Sequence, residues 1–378
     1  YLMDQSVMVF DDAAARTAAL PSPTNGMLTY LTSPGELYVR TSTAWRTVVD
    51  SVNQASVLPT RRNAVINGAF DFWQRGSTFS TSTIGLVLST ADRWLSQCTS
   101  AGTWTITASR QAFTPGAAPV AGYEGTFFYR HETSTGIVDG ANIIRHRIED
   151  VSTFAGQTIT ISYWAKANAA ITGYAQPFMR QNFGTGGSAN VDTTFFNHTY
   201  STSWARYFAT ITLPSISGKT VGANSYLELV ITLPNNTAST FDIWGVQIES
   251  GSVATPFSRA AGTLQGELAA CQRYYYRQTS PTAAYNVFAN GSAASTTIIL
   301  YTIKMPTTMR VTPTAVEFST LAATDGPGLI AISSLAIANG TPDTVLLNAG
   351  LTGATQFRPY TLNANNSASA FVGLSAEL

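Results

Sequence analysis

Runs in which every second residue is apolar dominate the middle of the chain. Thr158-Ile159-Thr160-Ile161-Ser162-Tyr163-Trp164, the stretch from Arg206 to Leu213 and that from Leu227 to Ile231 all alternate with period two. This is the repeat of a strand with one face against a core. Clusters of Gly, Pro and Asn interrupt the runs roughly every ten residues, the spacing of turns in an antiparallel sandwich or jelly roll. The pattern predicts one such domain over residues 61–260. Strands and helices do not alternate, which excludes a parallel α/β fold.

The flanks read differently. In residues 1–58, Val7, Phe10, Ala14 and Ala18 recur at helical spacing, with Asp11-Asp12 suited to a helix N-terminus. Leu20-Pro21-Ser22-Pro23 ends that helix. Gly26 to Leu31, Glu36 to Val39 and Ala44 to Val48 then read as three short strands, with turns at Ser33-Pro34-Gly35 and Thr41-Ser42-Thr43. So small a meander buries little by itself, and is expected to attach to a neighbouring subunit or another protein. Residues 50–60 are polar and aperiodic, a linker. In residues 261–378, Thr263 is placed to cap a helix running to Gln278, with Leu264, Leu268, Cys271 and Tyr275 as its apolar stripe. Strands are expected from Thr296 to Met305, Thr314 to Ser319, Leu329 to Ala338 and Ala370 to Leu374, a smaller third β domain. The fold class is therefore mainly β, in three parts, with no fixed-period repeat.

Composition narrows the function. Only 11% of the 378 residues are charged, against about 25% in ordinary soluble domains. The 21 basic and 21 acidic residues cancel, so no basic patch is available for nucleic acid. A Thr-, Ser-, Asn- and Gly-rich surface suits oligomeric fibre proteins or a weakly charged secreted β-protein. The most apolar stretch, Leu329 to Ala338, is too short to span a membrane. Tyr1-Leu2-Met3-Asp4 has no secretory signal, and its lack of an initiator Met suggests a start inside a longer polypeptide. Cys98 and Cys271 fall in different expected domains and read as free thiols.

Signs of chemistry are few. His131, His146 and His198 lack metal-ligand spacing, and Gly184-Thr185-Gly186-Gly187 does not join a strand to a helix as phosphate loops do. No nucleophile elbow occurs. Glu124, Glu132, Asp139, Glu149 and Asp150 could supply a glycosidase pair, but nothing in the sequence groups them. The chain reads as no enzyme, with no cofactor and no metal.

Several strings resemble phage tail proteins. Tyr1 to Phe10 with Ala13-Ala14-Ala15-Arg16, then Pro21 to Met27, is similar to the start of minor tail proteins of actinobacterial phages. Asn67-Gly68-Ala69-Phe70-Asp71-Phe72-Trp73-Gln74-Arg75-Gly76 with Ala91-Asp92-Arg93-Trp94 resembles the opening of a jelly roll common in phage fibres. Trp244 to Gly251 with Ala254-Thr255-Pro256-Phe257 resembles its closing strand. Cys271-Gln272-Arg273-Tyr274-Tyr275-Tyr276, Met305 to Arg310 and Phe371 to Leu378 fit the C-terminal domain of such proteins. The central domain also looks like the carbohydrate-binding modules that share the jelly roll. The resemblance implies a tail-fibre or minor tail protein of a virion, exposed to the medium and binding a host-surface glycan. Its implied partners are other tail proteins and two copies of itself in a homotrimer.

Within the strings, Trp73, Trp94 and Trp244 are expected to fill the sandwich core. Trp164 lies on the strand face opposite Ile161 and Tyr163, free to stack on a sugar if those two face the core. Sugars need aromatic planes flanked by amides and guanidinium groups. Trp104, Tyr129, Trp164, Arg180, Gln181 and Asn182 supply that mixture. His146, on the strand face opposite Arg145 and Arg147, is counted with them. Each could instead be ordinary sheet surface or a trimer contact. The rival functions are a brace in the tail or capsid without a ligand, and a cell-wall polysaccharide hydrolase.

Overall fold

The computed structural model describes residues 7–49, 62–99, 102–120, 123–134, 140–172, 176–195, 198–233, 237–326 and 328–378. The opening string up to Ser6, the linker at 50–60 and Asp139 lie outside the described residues. The chain divides into two compact units, Tyr1–Thr60 and Arg61–Leu378. No helix among the described residues is long and apolar enough to cross a membrane.

In the first unit, strands Leu28–Leu31, Glu36–Arg40 and Trp45–Val49 form the expected meander. The helix is shorter than the spacing predicted. Asp12 caps it, accepting from the Ala15 amide at 2.8 Å, and it runs only over Ala13–Ala19. Val7 and Phe10 do not share its face, because Met8–Phe10 is a strand that pairs parallel with Leu28–Leu31. A sheet edge offers backbone partners that a frayed helix end lacks. Arg16 is buried between the rings of Tyr38 and Trp45, 4.7 and 4.5 Å from their centroids.

The second unit opens with two six-stranded antiparallel sheets face to face, the expected jelly-roll sandwich. One has the order Val191–Thr194, Phe178–Asn182, Tyr226–Thr232, Asn142–Glu149, Trp94–Cys98, Val87–Ser89. The other has Ala205–Thr212, Thr158–Ala167, Ser239–Ser250, Phe127–Thr133, Ile106–Ala112, Thr78–Thr81. Between them lie Ile144, Ile148, Met179, Leu227, Leu229 and Ile231 from the first sheet and Ile159, Ile161, Tyr163, Ile243 and Ile248 from the second. Ile159, Ile161, Tyr163, Leu227, Leu229 and Ile231 are apolar members of the alternating runs, so period two does select the inner face there. Trp73 and Trp94 join this core as expected; Trp244 is buried too, but on the outer side of its sheet.

Residues 275–376 build a second core between a three-stranded and a seven-stranded sheet. Ile298–Lys304, Ala315–Ser319 and Phe371–Ser375 fall where the pattern put them. The expected strand from Leu329 to Ala338 does not exist as one element. It breaks at Ile332-Ser333 into Leu329–Ala331 and Ser334–Gly340, which occupy opposite edges of the seven-stranded sheet.

Thr263 caps the helix Leu264–Gln272, accepting from the Gly266 amide at 3.0 Å. Its expected apolar stripe is buried only in part, at Cys271 within the helix and at Tyr275 beyond it. Leu264 is 52% exposed and Tyr275 is already in a strand. The buried helical side chains are Cys271 and Glu267, and the Glu267 carboxylate accepts from the amides of Asn67 at 2.6 Å and Ala261 at 2.9 Å. Burial pushes the Glu267 pKa up, and these two bonds pull against that. A carboxylate with two amide partners thus joins Cys271 on the buried side of the helix.

The quoted strings meet at this seam. Asn67, in the left-handed region (φ 60), donates its side-chain amide to the carbonyls of Phe72 and Asp92. Asp92 accepts from the backbone and side chain of Gln74, while burial raises its pKa to about 6. Gly68 lies so close to the strand Ser239–Ser250 that a Cβ would stand 2.1 Å from the Val246 carbonyl oxygen. Arg75 and Arg93 lie over the rings of Tyr275 and Tyr274, each 3.5 Å from the centroid. Arg93 also pairs with Glu377. These residues fasten the sandwich to the C-terminal sheets.

Candidate functional site

Register turns the outer face of the first sheet into rows. In one row Arg147, Glu228, Arg180 and Asp192 stand on four adjacent strands. Their charges alternate and pair: Arg147 Nε donates to Glu228 at 2.9 Å, and Arg180 makes a two-bond fork to Asp192, both at 2.7 Å. The next row carries Leu95, Arg145, Val230, Phe178 and Thr194, with Arg145 its only charge. Beyond it stand Gln97, Ile143 and Thr232.

Members of these last two rows, with Arg180 from the first, line a hollow of about 300 Å³: Gln97, Ile143, Arg145, Phe178, Val230 and Thr232. Apolar side chains with a few fixed polar groups are the usual composition of a small-ligand site. Gln97 and Arg180 are held in place. Gln97 donates to the Gly85 carbonyl at 2.6 Å, and the Arg180 guanidinium lies 5.0 Å from the Phe178 ring centroid. Arg145 is 9% exposed, and its nearest carboxylate, Glu228, is 3.7 Å away. Its Nε is buried without a partner. Burial pushes the Arg145 pKa down, and Glu228 opposes that. The hydrogen bond to Asp192 holds Arg180 more firmly charged.

The outer face of the second sheet is covered. Trp164 stands between Arg206 and Trp244 in a row across three strands, and residues from two distant segments roof them. The rings of Phe113, Tyr123 and Phe257 lie 6.0, 5.3 and 5.1 Å from Trp244. Glu249 accepts from the amide and hydroxyl of Thr255, and Gln247 accepts from the Ser258 amide. Arg206, 4.7 Å above Trp164, donates to the Ala254 and Thr255 carbonyls. The string Ala254-Thr255-Pro256-Phe257 is thus a strap.

Most of the expected sugar contacts fail on burial. Trp164 is on the predicted side of its strand, but the strap leaves it 9% exposed. Trp104 is buried with Cys98 and Ile106, and Tyr129 lies in the main core with its hydroxyl 3.3 Å from that of Thr90. His146 faces the same core, bonded to the Ile66 carbonyl and edge-on to Trp94; burial drives its pKa down to about 3. Gln181 points inward and donates to the Pro214 carbonyl, while Asn182 accepts from the Gly184 amide. Arg180 alone of the seven lines the hollow. Arg180, Gln181 and Asn182 are neighbours in sequence, but strand alternation sends the middle one to the opposite face. The same alternation applied to Phe178 marks it as Arg180's companion, a signal that contiguity hid. Among the described residues no group of three His, Cys, Asp or Glu side chains could hold a metal ion.

No known protein family and no curated protein matches the chain. Among solved structures, the enzymatically active domain of tailspike protein 4 of bacteriophage CBA120 matches 50% of this chain at 15% identity, with a TM-score of 0.29. This chain covers 21% of that domain's length. The family 11 carbohydrate-binding module of Clostridium thermocellum, solved with a mixed-linked tetrasaccharide, matches 46% of this chain and 100% of its own, at 16% identity and a TM-score of 0.28. The xylan-binding CBM22-1 domain of Paenibacillus barcinonensis Xyn10C matches 46% and 100%, at 10% identity and a TM-score of 0.26. Similarities this distant are no guide to what this chain binds.

Proposed function

We propose that this chain is a non-catalytic glycan-binding protein of a phage tail, and that it touches the host surface through the outer face of the first sheet. The observation that carries the binding reading is the hollow, where Phe178 offers a ring and Gln97, Arg145 and Arg180 offer amide and guanidinium donors beside the apolar Ile143 and Val230. A pyranose presents an apolar CH face and a rim of hydroxyls, which such a set can match. The tail assignment rests on the order of the sequence strings. It agrees with the low charge of the chain, since a subunit facing other subunits leaves little room for unpaired ions. The site is shallow, so affinity per copy is low, and a homotrimer repeated on one particle raises it by avidity of roughly 10²–10⁴.

The test is binding of the full chain to cell-wall glycans of candidate hosts, with Phe178→Ala beside it. Saturable binding that the substitution weakens, with no release of reducing ends, is the expected result. A folded protein that binds no glycan would instead be a brace, and released sugar would make it a hydrolase.

A further inference from the structure

The charges around the hollow do not balance, and the imbalance has one address. The row Arg147, Glu228, Arg180, Asp192 is neutral within itself, each guanidinium having a carboxylate at 2.7–2.9 Å. Arg145 stands one row further on, with apolar Leu95 and Val230 as its neighbours in register. Among the described residues the carboxylate that pairs with it is Glu228, at 3.7 Å and already bonded to Arg147. Among the described side chains the two rows therefore carry three guanidinium groups against two carboxylates, and the further acceptor, a Leu378 oxygen, is taken by Arg147. The surplus cation is 9% exposed, lines the hollow and keeps a buried Nε with no acceptor.

A cation held out of water with part of its donor fork unused is costly unless an anion completes it. A guanidinium fork matches the two oxygens of a carboxylate or a phosphate better than it matches a hydroxyl. We infer that the hollow takes an acidic glycan, whose carboxylate or phosphate oxygens sit on Arg145 while the sugar ring lies against Phe178. This rests on the glycan reading above and adds the class of sugar. Gln97, on the neighbouring strand and also lining the hollow, is uncharged and does not repel an acid.

The experiment measures binding of the full chain to an oligogalacturonate, to the same oligomer with its carboxyls reduced to alcohols, to a glycerol-phosphate polymer and to neutral β-glucan and xylan oligomers. The two acidic arms separate a uronic acid from a phosphate as the natural group. Binding should be confined to acidic members and should weaken as salt is raised. It should fall roughly tenfold or more in Arg145→Gln and less in Arg145→Lys, which keeps the charge but not the fork. Gln97→Glu places a like charge beside the acid and should weaken acidic binding, and because it leaves Arg145 in place it keeps the test independent of how Arg145→Gln folds. If the neutral oligomers bind as well as the acidic ones, or Gln97→Glu leaves acidic binding unchanged, the acidic-glycan inference is overturned and glycan binding stands. Binding to none of the panel overturns both.

Discussion

The two outer faces of the sandwich carry similar residue types and have opposite fates. On the second sheet, Trp164, Trp244 and Arg206 form a row that the strap at 254–258 and the ring of Phe113 seal off. On the first sheet, Arg145 and Phe178 from one row and Gln97 from the next line a hollow. Both are aromatic-and-guanidinium surfaces made by alternation in neighbouring strands. What separates them is whether another part of the chain supplies a lid. An aromatic residue on the outward side of a strand is thus a candidate ligand contact only after the rest of the chain has been placed.

Breaking the sealed face should have the largest effect. Trp164→Ala removes a ring packed 5.7 Å from Trp244 and 4.7 Å from Arg206, and should cost about 3–5 kcal/mol of folding free energy. Glycan binding by the molecules still folded should be unchanged. A melting curve that does not move would mean the strap opens in solution and would restore Trp164 as a surface residue.

On the open face, Glu228 is 1% exposed and anchors the charged row. Glu228→Gln leaves Arg147 and Arg145 without their carboxylate and should cost about 3 kcal/mol, read from denaturant midpoints. A neutral result there would show that water already screens the row. Phe178→Ala should cost about 1–3 kcal/mol of binding with a smaller change in stability, the reverse of Trp164→Ala. The contrast between the two faces fails if both substitutions act on the same quantity.

The layer between the faces gives the smallest effect, a dependence on pH. Burial holds the pKa of His131 down to about 4 and that of His146 to about 3. Both lie below the ordinary value of about 6.5, so the unfolded chain takes up their protons first. Their stabilisation is complete above pH 6.5 and is lost as the pH falls towards those lower values, by up to about 1.4 kcal/mol per unit for each histidine. Asp92, raised to about 6, and the raised Asp71 and Glu267 act in the opposite sense. The measurable quantity is therefore a difference. Wild type should lose more stability than His146→Phe between pH 7 and pH 5, and parallel stability curves would show that His146 takes up its proton in the folded state.

Much of the fold was legible in the sequence because strand alternation and helix caps are local. The runs around Ile161, Ile211 and Leu229 marked the inner faces of the sandwich, and Asp12 and Thr263 do cap helices. Alternation also put Trp164 opposite Tyr163, and Arg145 opposite His146. What sequence could not supply was the occupant of each face. Glu267 is buried because its acceptors meet an amide at Asn67, 200 residues earlier. Leu329–Ala331 and Ser334–Gly340, one run in sequence, part to opposite edges of a sheet whose other strands come from both sides of them.

The candidate site divides the same way. The sequence by itself determined which side of a strand Arg145, Trp164 and Arg180 occupy, since side-chain direction follows from backbone geometry within a few residues. Only the tertiary structure decided that Trp164 lies under a strap while Phe178, Arg145 and Gln97, from three separate strands, share one hollow. Burial and charge balance are sums over neighbours distant in sequence, and those neighbours are fixed only when the chain has folded.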